Sequence, residues 1–332
     1  MHVVKGKHEH LWCYDTSVEL NIVPIIASDS SSSEILCNEY SDVFKGIGKL
    51  KDVKVKIHVD ENVKPVNIQP HRRIPFHIRK QVEAELDRLE KLDIIGKVDG
   101  PTPWVSPIVA VPKQKNLNEI RLCVDIREPN KAILRSRHIS PTLDDMILDL
   151  NGSKVFSKMD LRNGYHRLEL SEDSRNITTF TTHVELRRYK RLSFGVSSAA
   201  EIFQNTLSNA LEGLDGVRNI SNDIIVFGRN QEEHDNRLCK LFERLKERNL
   251  TLNKAKCEFN KDKLEFYDHM FSANGISADP KKISAIRNTQ IPKDVGEIRI
   301  FLAMTNYVGR CIPNYSTVTE PLRRLTKQGT KW

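Results

Sequence analysis

The stretch "NISNDIIVFG" at residues 219–228 places two polar side chains ahead of a run of apolar β-formers. The run 224–227 is rich in β-branched and aromatic residues, which predicts a buried strand. Asn222 and Asp223 stand at the mouth of this strand, and two interpretations fit them. Asn and Asp tolerate turn geometry and bond to their own backbone, which favours a hairpin turn. A carboxylate at the end of a strand also suits a metal site. The rest of the chain helps to decide between the hairpin turn and the metal site.

The bulk composition favours a basic protein with a polyanionic partner. The chain has 332 residues, with 52 Lys and Arg against 44 Asp and Glu, and a formal charge of +8. Such an excess is typical of nucleic-acid binding, although many basic proteins bind none. No apolar run approaches the roughly 20 residues of a membrane helix, and the N-terminus lacks the apolar core of a signal peptide. The six cysteines are widely spaced and form no CxxC, so we expect reduced thiols in an intracellular, cytoplasmic protein.

The hydrophobic periodicity predicts a mixture of strands and helices around an antiparallel sheet. Strands are predicted at 53–60, 106–111, 120–126, 154–160, 166–170, 178–182 and 264–272. Helices are predicted from Pro75 to near Gly96 and at 197–214, 231–249, 280–289, 294–308 and 316–327. The segments 106–111 and 120–126 form a hairpin in this scheme. Because strands and helices mix without a strict βαβ rhythm, the predicted fold class is α+β.

Two aspartates fall at the ends of predicted strands. Asp160 closes the strand 154–160, and Asp223 opens the strand that follows Asn222. Carboxylates at one edge of a sheet can share hard cations such as magnesium, which prefer oxygen ligands. Two such ions about 3.5–4 Å apart can hold the attacking and leaving oxygens of a phosphoryl transfer. The plainer alternative is a pair of solvated surface aspartates, which is the usual state of this residue.

Six blocks in a fixed order carry a family resemblance. They closely resemble the reverse transcriptase of gypsy-like long-terminal-repeat retrotransposon polyproteins, over residues from about Glu34 to Trp332. The blocks are "SPIVAVPK", "RLCVDIREPNK", "FSKMDLRNGYHRLEL", "FTTHVELRRYKRLSFGVSSAAEIFQ", "NISNDIIVFG" and "LTLNKAKCEFNKDKLEFYDHMFSANGISADPKKISAI". Six ordered blocks make the resemblance far more specific than any single motif.

The resemblance implies a right-hand polymerase with fingers, a palm built on an antiparallel sheet, and a helical thumb. The ranges are 27–61 for a linker and lead-in strand, 62–155 for the fingers, 156–270 for the palm (with the reverse transcriptase core at about 96–272), and 275–332 for the thumb and the start of a connection. Residues 1–26 resemble the C-terminal end of the family's aspartic protease. The family's ribonuclease H, integrase and protease domains would then come from other chains, in a retroelement particle if the element is active.

The implied activity is RNA-directed DNA synthesis on a primer, with an RNA or DNA template and deoxynucleoside triphosphates. Two magnesium ions would serve as cofactors, with manganese as a substitute. In the resemblance Asp160 is the first catalytic aspartate, and the backbone carbonyl of Leu161 helps to hold a metal. Asp223 is the second aspartate of an adjacent pair, so the implied metal ligands are Asp160, Leu161 and Asp223.

The resemblance also implies a nucleotide pocket. Arg121 matches the fingers arginine that grips the phosphates, a task that suits a bidentate guanidinium, and either Lys113 or Lys115 would assist it. Tyr165 matches the aromatic gate under the incoming sugar, although a core tyrosine is the plainer interpretation. Phe194 and Gly195 match the wall on the base side of the pocket.

Several departures from the family pattern predict weakened chemistry. Asn222 stands where the family has a catalytic aspartate, so two divalent ions would share two carboxylates instead of three. In the primer grip, formed by Tyr267 and Asp268, the aspartate replaces a glycine and would repel primer phosphates. We therefore expect an impaired polymerase. The alternatives are a catalytically dead nucleic-acid-binding remnant of a retrotransposon and an unstable pseudogene product.

Overall fold

The computed structural model describes most of the chain. The described residues are 32–68, 73–113, 116–135, 146, 149–150, 152–162, 164–267, 269–327 and 329–330. The protease-like segment 1–26 lies outside them. The contacts divide the chain into two units, one ending at Glu39, which contains helix α1 (Ser32–Glu39), and the other comprising Tyr40–Trp332. No helix in the described ranges has the length and apolar character that a membrane crossing requires.

The second unit alternates short strands with helices. The remaining helices are α2 (Arg79–Lys91), α3 (Arg127–Ala132), α4 (Glu172–Arg175), α5 (Ala199–Ala210), α6 (Gln231–Glu247), α7 (Pro280–Arg287), α8 (Val295–Tyr307) and α9 (Tyr315–Leu325). The strands are β1 (Lys54–Val55), β2 (Ile95–Lys97), β3 (Ser106–Lys113), β4 (Asn116–Val124), β5 (Val155–Asp160), β6 (Glu169–Leu170), β7 (Thr179–Thr181), β8 (Leu186–Tyr189), β9 (Val217–Ile220), β10 (Asp223–Gly228), β11 (Glu258–Lys261), β12 (Lys263–Phe266), β13 (His269–Ser272) and β14 (Gly275–Ala278).

The strands form three sheets and one short pair. The central sheet is antiparallel with the order β11–β5–β10–β9. A five-stranded sheet has the order β2–β8–β7–β3–β4, and a three-stranded antiparallel sheet has the order β12–β13–β14. Strands β1 and β6 pair in parallel. This mixture of antiparallel sheets and helices confirms the predicted α+β class.

The two faces of the central sheet have different partners. On one face Phe156, Ile225 and Phe227 pack into an apolar core with Leu264, Phe266 and Phe271. On the other face the Ser157 Oγ lies 2.9 Å from the His234 Nε2 of α6, and α5 contacts β9. Side chains alternate between the faces of a strand, so Asp160 and Asp223 share the face of Phe156 and Phe227. The two helices therefore cover the face opposite the aspartates, as the sequence predicts.

Some element boundaries differ from the sequence predictions. Helix α2 ends at Lys91 rather than near Gly96, because Asp93 adopts a left-handed φ of 53° and the chain then enters β2. The predicted strand 264–272 is instead the hairpin of β12 and β13, in which Leu264 pairs with Phe271. The apolar residues of both arms face the same core, so their periodicity resembles that of one strand. Predicted strands 53–60 and 166–170 shrink to the two-residue β1 and β6, whereas β3 and β4 extend into the predicted loop 112–119.

Two histidines, the half-buried His166 and the buried His234, couple the stability of this fold to pH. Burial, helped by the charges of Arg191 and Arg88, lowers the pKa of His166 to about 4. Burial also lowers the pKa of His234, and the hydrogen bond that the Asp235 carboxylate accepts opposes this shift. Both folded pKa values lie below the ordinary value of about 6.5. The unfolded state therefore binds more protons than the folded state between those values.

We expect the free energy of unfolding to be highest above about pH 6.5 and to fall as the pH drops towards 4. At about 1.4 kcal/mol per pKa unit, His166 alone accounts for a loss of roughly 3 kcal/mol. Urea unfolding at a series of pH values measures this slope. A His166→Phe variant keeps an aromatic ring against Tyr189 and should flatten it. Equal slopes in the two proteins would contradict the role given to His166.

Candidate active site

The ends of two neighbouring strands bring the candidate catalytic aspartates together. Asp160 is the last residue of β5 and Asp223 is the first residue of β10, and the two are direct partners in the antiparallel register. Just beyond this pair, the Leu161 N–H donates to the Asn222 carbonyl at 2.8 Å. Partners in an antiparallel register project their side chains to the same face. The sheet therefore presents both carboxylates at one edge, where the sequence placed them.

A tight hairpin turn sets the position of Asp223. Strand β9 ends at Ile220 and β10 begins at Asp223, so Ser221 and Asn222 form the turn, with a positive φ of 50° at Ser221. The buried Gln204 of α5 holds this turn by accepting from the Ser221 N–H at 2.7 Å. Its Nε2 also donates to the Asn219 carbonyl at 3.1 Å. The hairpin interpretation of Asn222 and Asp223 is thus confirmed, and the turn itself aims the carboxylate.

Gln204 is a positioning residue that the sequence analysis did not single out. Its only local signal is a polar side chain on the inward face of a helix, beside Phe203 and Leu207. Polar residues at such positions are bonded when buried, and the partners here are backbone groups of β9 and of the turn that follows it. Hydrophobic periodicity shows that Gln204 faces inward, but it does not reveal which residues Gln204 bonds to.

The side chain of Asn222 lies in a close cradle beside Gly164. A Cβ atom on Gly164 would stand 2.9 Å from the Asn222 Oδ1, which is closer than side chains pack. The same Oδ1 is buried and has no hydrogen-bond partner within the described part of the chain. Gly164, with a φ of 36°, is therefore needed both for its backbone conformation and for the space it leaves. Aspartate has the same shape as asparagine and would fit the same cradle.

The charges around the aspartates partly balance. Burial raises the pKa of Asp223, the charge of Lys158 lowers it, and the neighbouring Asp160 raises it again. Lys256 lies with its Nζ 3.1 Å from the Asp160 Oδ2. A half-buried carboxylate whose pKa is raised gains from a nearby cation. At this edge lysines already supply part of that positive charge.

A fully buried arginine lies behind this edge. Arg167 is completely inaccessible to solvent, and it donates to the carbonyl oxygens of Arg162 and Thr251. Burial lowers its pKa to about 9, while the negative charge of Asp160 favours the charged form. Arg167 thus fixes the turn that follows Asp160 against the segment that precedes Lys256. It is a second residue that the sequence analysis missed, because its partners are backbone atoms distant in sequence.

The donor set at this edge suits a divalent ion but is short of negative charge. Carboxylate oxygens are the ligands that magnesium prefers. Within the described ranges, however, no group of three or more His, Cys, Asp or Glu side chains is placed to hold a metal. Asp160 and Asp223 supply two carboxylates, and Asn222 supplies only an amide. The arrangement therefore favours weaker metal binding than three carboxylates would give.

The candidate sugar and base contacts form one aromatic group. Tyr165 lies in a 3₁₀ turn, with its ring centroid 4.8 Å from that of Phe194 and 5.4 Å from that of Phe203. Burial, followed by the charge of Glu201, raises the pKa of the Tyr165 hydroxyl. The ring of Phe194 is 60 % exposed. Tyr165 is thus fixed by neighbouring rings while Phe194 offers an open face.

The loop that carries Phe194 and Gly195 is fixed by one asparagine. The Asn130 Nδ2 donates to the Gly195 carbonyl at 2.9 Å, and its Oδ1 accepts from the Ser197 N–H at 2.9 Å. Asn130 belongs to the "REPNK" block, so it links α3 to the candidate pocket. This double contact keeps Phe194 at the mouth of the cleft.

A cleft of 490 Å³ joins the candidate nucleotide residues. Its lining includes Arg121, Phe194 and Gly195, together with Arg88 of α2 and His166. The structure therefore brings together Arg121, which is exposed on β4, and the aromatic group around Tyr165. Lys113 ends β3, but its side chain lies outside the described part of the chain.

The candidate primer grip lies at the tip of the β12–β13 hairpin. Tyr267 follows β12 with a positive φ of 49°, and its side chain is 51 % exposed. Asp268 lies outside the described residues. The Lys158 Nζ of β5 donates to the Glu265 carbonyl of β12 at 3.0 Å, which ties this hairpin to the strand that carries Asp160.

Comparison with known proteins places this site in a family. A family model described as reverse transcriptase (RNA-dependent DNA polymerase) matches residues 111–271. The chain is 31 % identical over 90 % of its length to the retrovirus-related Pol polyprotein from transposon 412 of Drosophila melanogaster, and 30 % identical over 93 % to that from transposon opus. It spans 25 % and 32 % of these two relatives, so it matches only part of each.

Solved structures agree on the fold. The foamy viral protease-reverse transcriptase in complex with double-stranded DNA has a TM-score of 0.76 at 22 % identity, with 96 % of this chain and 57 % of that chain covered. The same viral protein in complex with an RNA/DNA hybrid has a TM-score of 0.72 at 22 % identity and covers 96 % and 44 %. The predicted right-hand polymerase fold is thereby confirmed. The chain therefore belongs to the reverse transcriptase family, as the reverse transcriptase region of a long-terminal-repeat retrotransposon Pol polyprotein.

Proposed function

We propose that this chain is the polymerase core of an RNA-directed DNA polymerase whose catalytic edge has lost one carboxylate. The observation that carries the proposal is the direct pairing of Asp160 with Asp223 beside a neutral Asn222. The substrates would be a primer on an RNA or DNA template and deoxynucleoside triphosphates. Relatives with three carboxylates at this edge would differ from this chain in charge and hardly in shape.

The residues of this chain would divide the work of nucleotide addition. Asp160, Asp223 and the Leu161 carbonyl would hold divalent ions, which supply charge stabilisation to the attacking and leaving oxygens. Magnesium is the expected ion, and manganese accepts the same oxygen ligands. Arg121 would bind the triphosphate through its planar guanidinium.

The remaining pocket residues would select and seat the nucleotide. The ring of Tyr165, wedged between Phe194 and Phe203, would block a 2′-hydroxyl and so favour deoxyribonucleotides. Phe194 and Gly195 would form the wall on the base side, and Lys113 would assist Arg121 on the phosphates. Tyr267 and Asp268 would contact the primer, where the aspartate repels phosphates.

The missing charge sets the size of the expected defect. Losing a group that supports a metal ligand costs about 10–100-fold. Losing the charge of a ligand itself should cost more, about 10³-fold, or roughly 4 kcal/mol at about 1.36 kcal/mol per decade. Neither loss of rate requires a change of the fold, because the Asn222 amide occupies the same space as a carboxylate.

A second candidate function is nucleic-acid binding without chemistry. It is favoured by the contact of Lys256 with Asp160 at 3.1 Å, since a lysine there competes with a metal ion for the same oxygen. In that case the chain would be a remnant that holds a primer–template and leaves it unchanged.

We also assign the parts of the hand by range. Fingers would span 62–155, palm 156–270 and thumb 275–332, with 1–26 derived from a protease end and 27–61 as lead-in. Ribonuclease H, integrase and protease activities would be supplied by other chains, inside a cytoplasmic retroelement particle. Separate expression of 62–270 tests whether the ranges fold together.

Binding and extension assays with one variant distinguish the two functions. We expect the protein to bind a primer–template at low salt, with affinity that falls by about 0.9 log units per log unit of salt for each phosphate contacted. Extension should be slow with magnesium and faster with manganese. Asp160→Asn should abolish extension and leave binding nearly unchanged. Equal extension by that variant would overturn the catalytic assignment, and no extension by either protein would select the binding remnant.

A further inference from the structure

A ring of hydrogen bonds lies behind the candidate catalytic edge, on the opposite face of the central sheet. Ser157 of β5 and His234 of α6 are both inaccessible to solvent, and the Ser157 Oγ lies 2.9 Å from the His234 Nε2. The His234 Nδ1 lies 2.9 Å from the Asp235 Oδ1. The Gln231 Nε2 donates to the same Asp235 oxygen at 2.7 Å and to the Asn260 Oδ1 at 3.2 Å. The Asn260 N–H closes the ring by donating to the Ser157 Oγ at 3.1 Å.

The hydrogen bonds of this ring each have a definite direction. The Asp235 carboxylate can only accept, so the His234 Nδ1 carries a proton. Burial lowers the pKa of His234, so the imidazole is neutral and its Nε2 accepts from the Ser157 hydroxyl. The Ser157 oxygen keeps a lone pair for the Asn260 N–H. Donors and acceptors therefore match all the way round the ring.

The same residue types, serine, histidine and aspartate, form the catalytic triad of many hydrolases. That interpretation fails here, because Ser157 and His234 have no exposed surface. A triad serine must meet its substrate, whereas this hydroxyl lies between a backbone N–H and an imidazole. The ring therefore holds segments of the chain in place.

The ring holds an irregular point of strand β11. The register of β11 on β5 shifts between Glu258 and Lys261, and Asn260 within this shift has a left-handed φ of 51°. A bulged residue has no regular partner in the strand ladder. Here its N–H is bonded to the Ser157 hydroxyl instead. Helix α6 thus fixes the bulge through side chains.

The segment that carries Lys256 is tied to β5 at both ends. At its start the Asn253 N–H donates to the Asp160 carbonyl at 2.8 Å. At its end the ring holds Asn260. Between these ties the Lys256 Nζ lies 3.1 Å from the Asp160 Oδ2, although the lysine side chain is 63 % exposed. The ring therefore fixes one end of the segment that places this cation.

We propose that Ser157 and His234 are positioning residues of the catalytic edge, which hold Lys256 against Asp160 through the β11 bulge. With the ring closed, the ammonium group of Lys256 occupies a carboxylate oxygen that a divalent ion would otherwise use. With the ring open, the segment 254–260 loosens and Asp160 becomes available to an ion. The proposal rests on the proposed function only in calling this edge catalytic, because the contact itself needs no metal, primer or nucleotide.

Chemical labelling of lysines tests the contact in the metal-free protein. The acetylation rate of Lys256, measured by mass spectrometry of its peptide, reports how often its amine is released from Asp160. Ser157→Ala removes the hydroxyl and should raise this rate about 2- to 5-fold, the range expected for an exposed ion pair. Lys131 is a matched reference, because its side chain is 66 % exposed and pairs with Glu128 at 2.7 Å. Its rate should stay unchanged.

Two further variants separate the ring from a general loss of stability. Ser174→Ala removes another buried hydroxyl, which accepts the Ile57 N–H at 2.8 Å, and it should leave the Lys256 rate unchanged. Gln231→Ala opens the ring at its exposed side, where no cavity forms, and should raise the Lys256 rate about 2-fold. If Ser157→Ala does not fold, Gln231→Ala alone decides the question.

Binding of Mn²⁺ alone, without nucleic acid, measures the consequence for the edge. Lys256→Met and Ser157→Ala should each tighten this binding about 2- to 5-fold. The double variant should show no further gain, because both changes remove the same contact. Asp160→Asn should abolish the binding. If no Mn²⁺ binding depends on Asp160, the metal role in the proposed function fails, while the Lys256 rate still tests the ring.

Three outcomes would overturn the role given to Ser157 and His234. The first is an unchanged Lys256 rate in the folded ring variants. The second is an equal rise at Lys131 or in Ser174→Ala, which would indicate general loosening of the fold. The third is a gain in Mn²⁺ affinity from Ser157→Ala that persists in full when Lys256 is already methionine.

Discussion

Replacing Asn222 by aspartate is expected to raise the rate of primer extension with magnesium about 10³-fold. The change restores a third carboxylate to the edge formed by Asp160 and Asp223, and so strengthens the binding of divalent ions. It should cost little in packing, because the new side chain has the shape of the old one and fits beside Gly164. Single-turnover incorporation of one nucleotide, at saturating primer–template, measures the gain.

Two controls separate a metal effect from a general effect of charge. Asn209→Asp adds the same charge on the exposed face of α5, away from the edge, and should leave the rate unchanged. Asn222→Asp combined with Asp160→Asn should be inactive.

The gain in extension rate from Asn222→Asp should grow further with Asp268→Gly, because both changes act at the primer end and neighbouring changes are not additive. If the unaltered protein already extends as fast as Asn222→Asp, the role given to Asn222 is wrong.

Replacing Arg191 by methionine is expected to lower the free energy of unfolding by about 3–5 kcal/mol. The buried guanidinium donates to four carbonyl oxygens, and removal of the donor leaves them without partners. These acceptors are Asp93 at 2.9 Å, Gly48 at 3.0 Å, Leu92 at 3.0 Å and His166 at 3.2 Å. The single side chain thus joins the end of α2, the lead-in segment and the turn that carries Tyr165.

The same chain provides a matched control for Arg191. Arg188 lies three residues earlier and is only half-buried, with a hydrogen bond of 3.1 Å to the Asn176 Oδ1. Arg188→Met should therefore change the free energy of unfolding by less than about 1 kcal/mol. Urea unfolding of the two variants makes the comparison. Similar losses for Arg188→Met and Arg191→Met would show that the carbonyl contacts contribute little.

The sequence predicted that Asp160 and Asp223 lie at neighbouring strand ends, because the signals for these strand ends are local. Asp160 and Asp223 each border a short run of β-formers, and the pattern of the following helices places both helices on the opposite face. The end of α2 was less predictable, because apolar periodicity continues past Lys91 into Ile94 and Ile95. The sequence pattern predicts one strand where the structure has the β12–β13 hairpin. The reason is similar, because both arms of the hairpin direct their apolar residues into the same core.

The residues that hold the site in place could not be predicted from the local sequence pattern. Gln204, Arg167 and Arg191 all bond to backbone groups that are distant in sequence, and no spacing rule announces such partners. Arginine is also a residue that composition assigns to the surface. Only the three-dimensional structure shows that these three side chains are buried.

The space beside Gly164 limits what position 222 can become over evolutionary time. A longer side chain there would press against Gly164, because the Asn222 Oδ1 already lies only 2.9 Å from the position that a Gly164 Cβ would take. Aspartate and asparagine share one outline, so the residue found here removes charge while it leaves the packing untouched. Under the proposed function, a lineage that drifts this way keeps the fold, and a single amino-acid reversion returns the carboxylate. The loss of charge at this position is therefore reversible for as long as Gly164 persists.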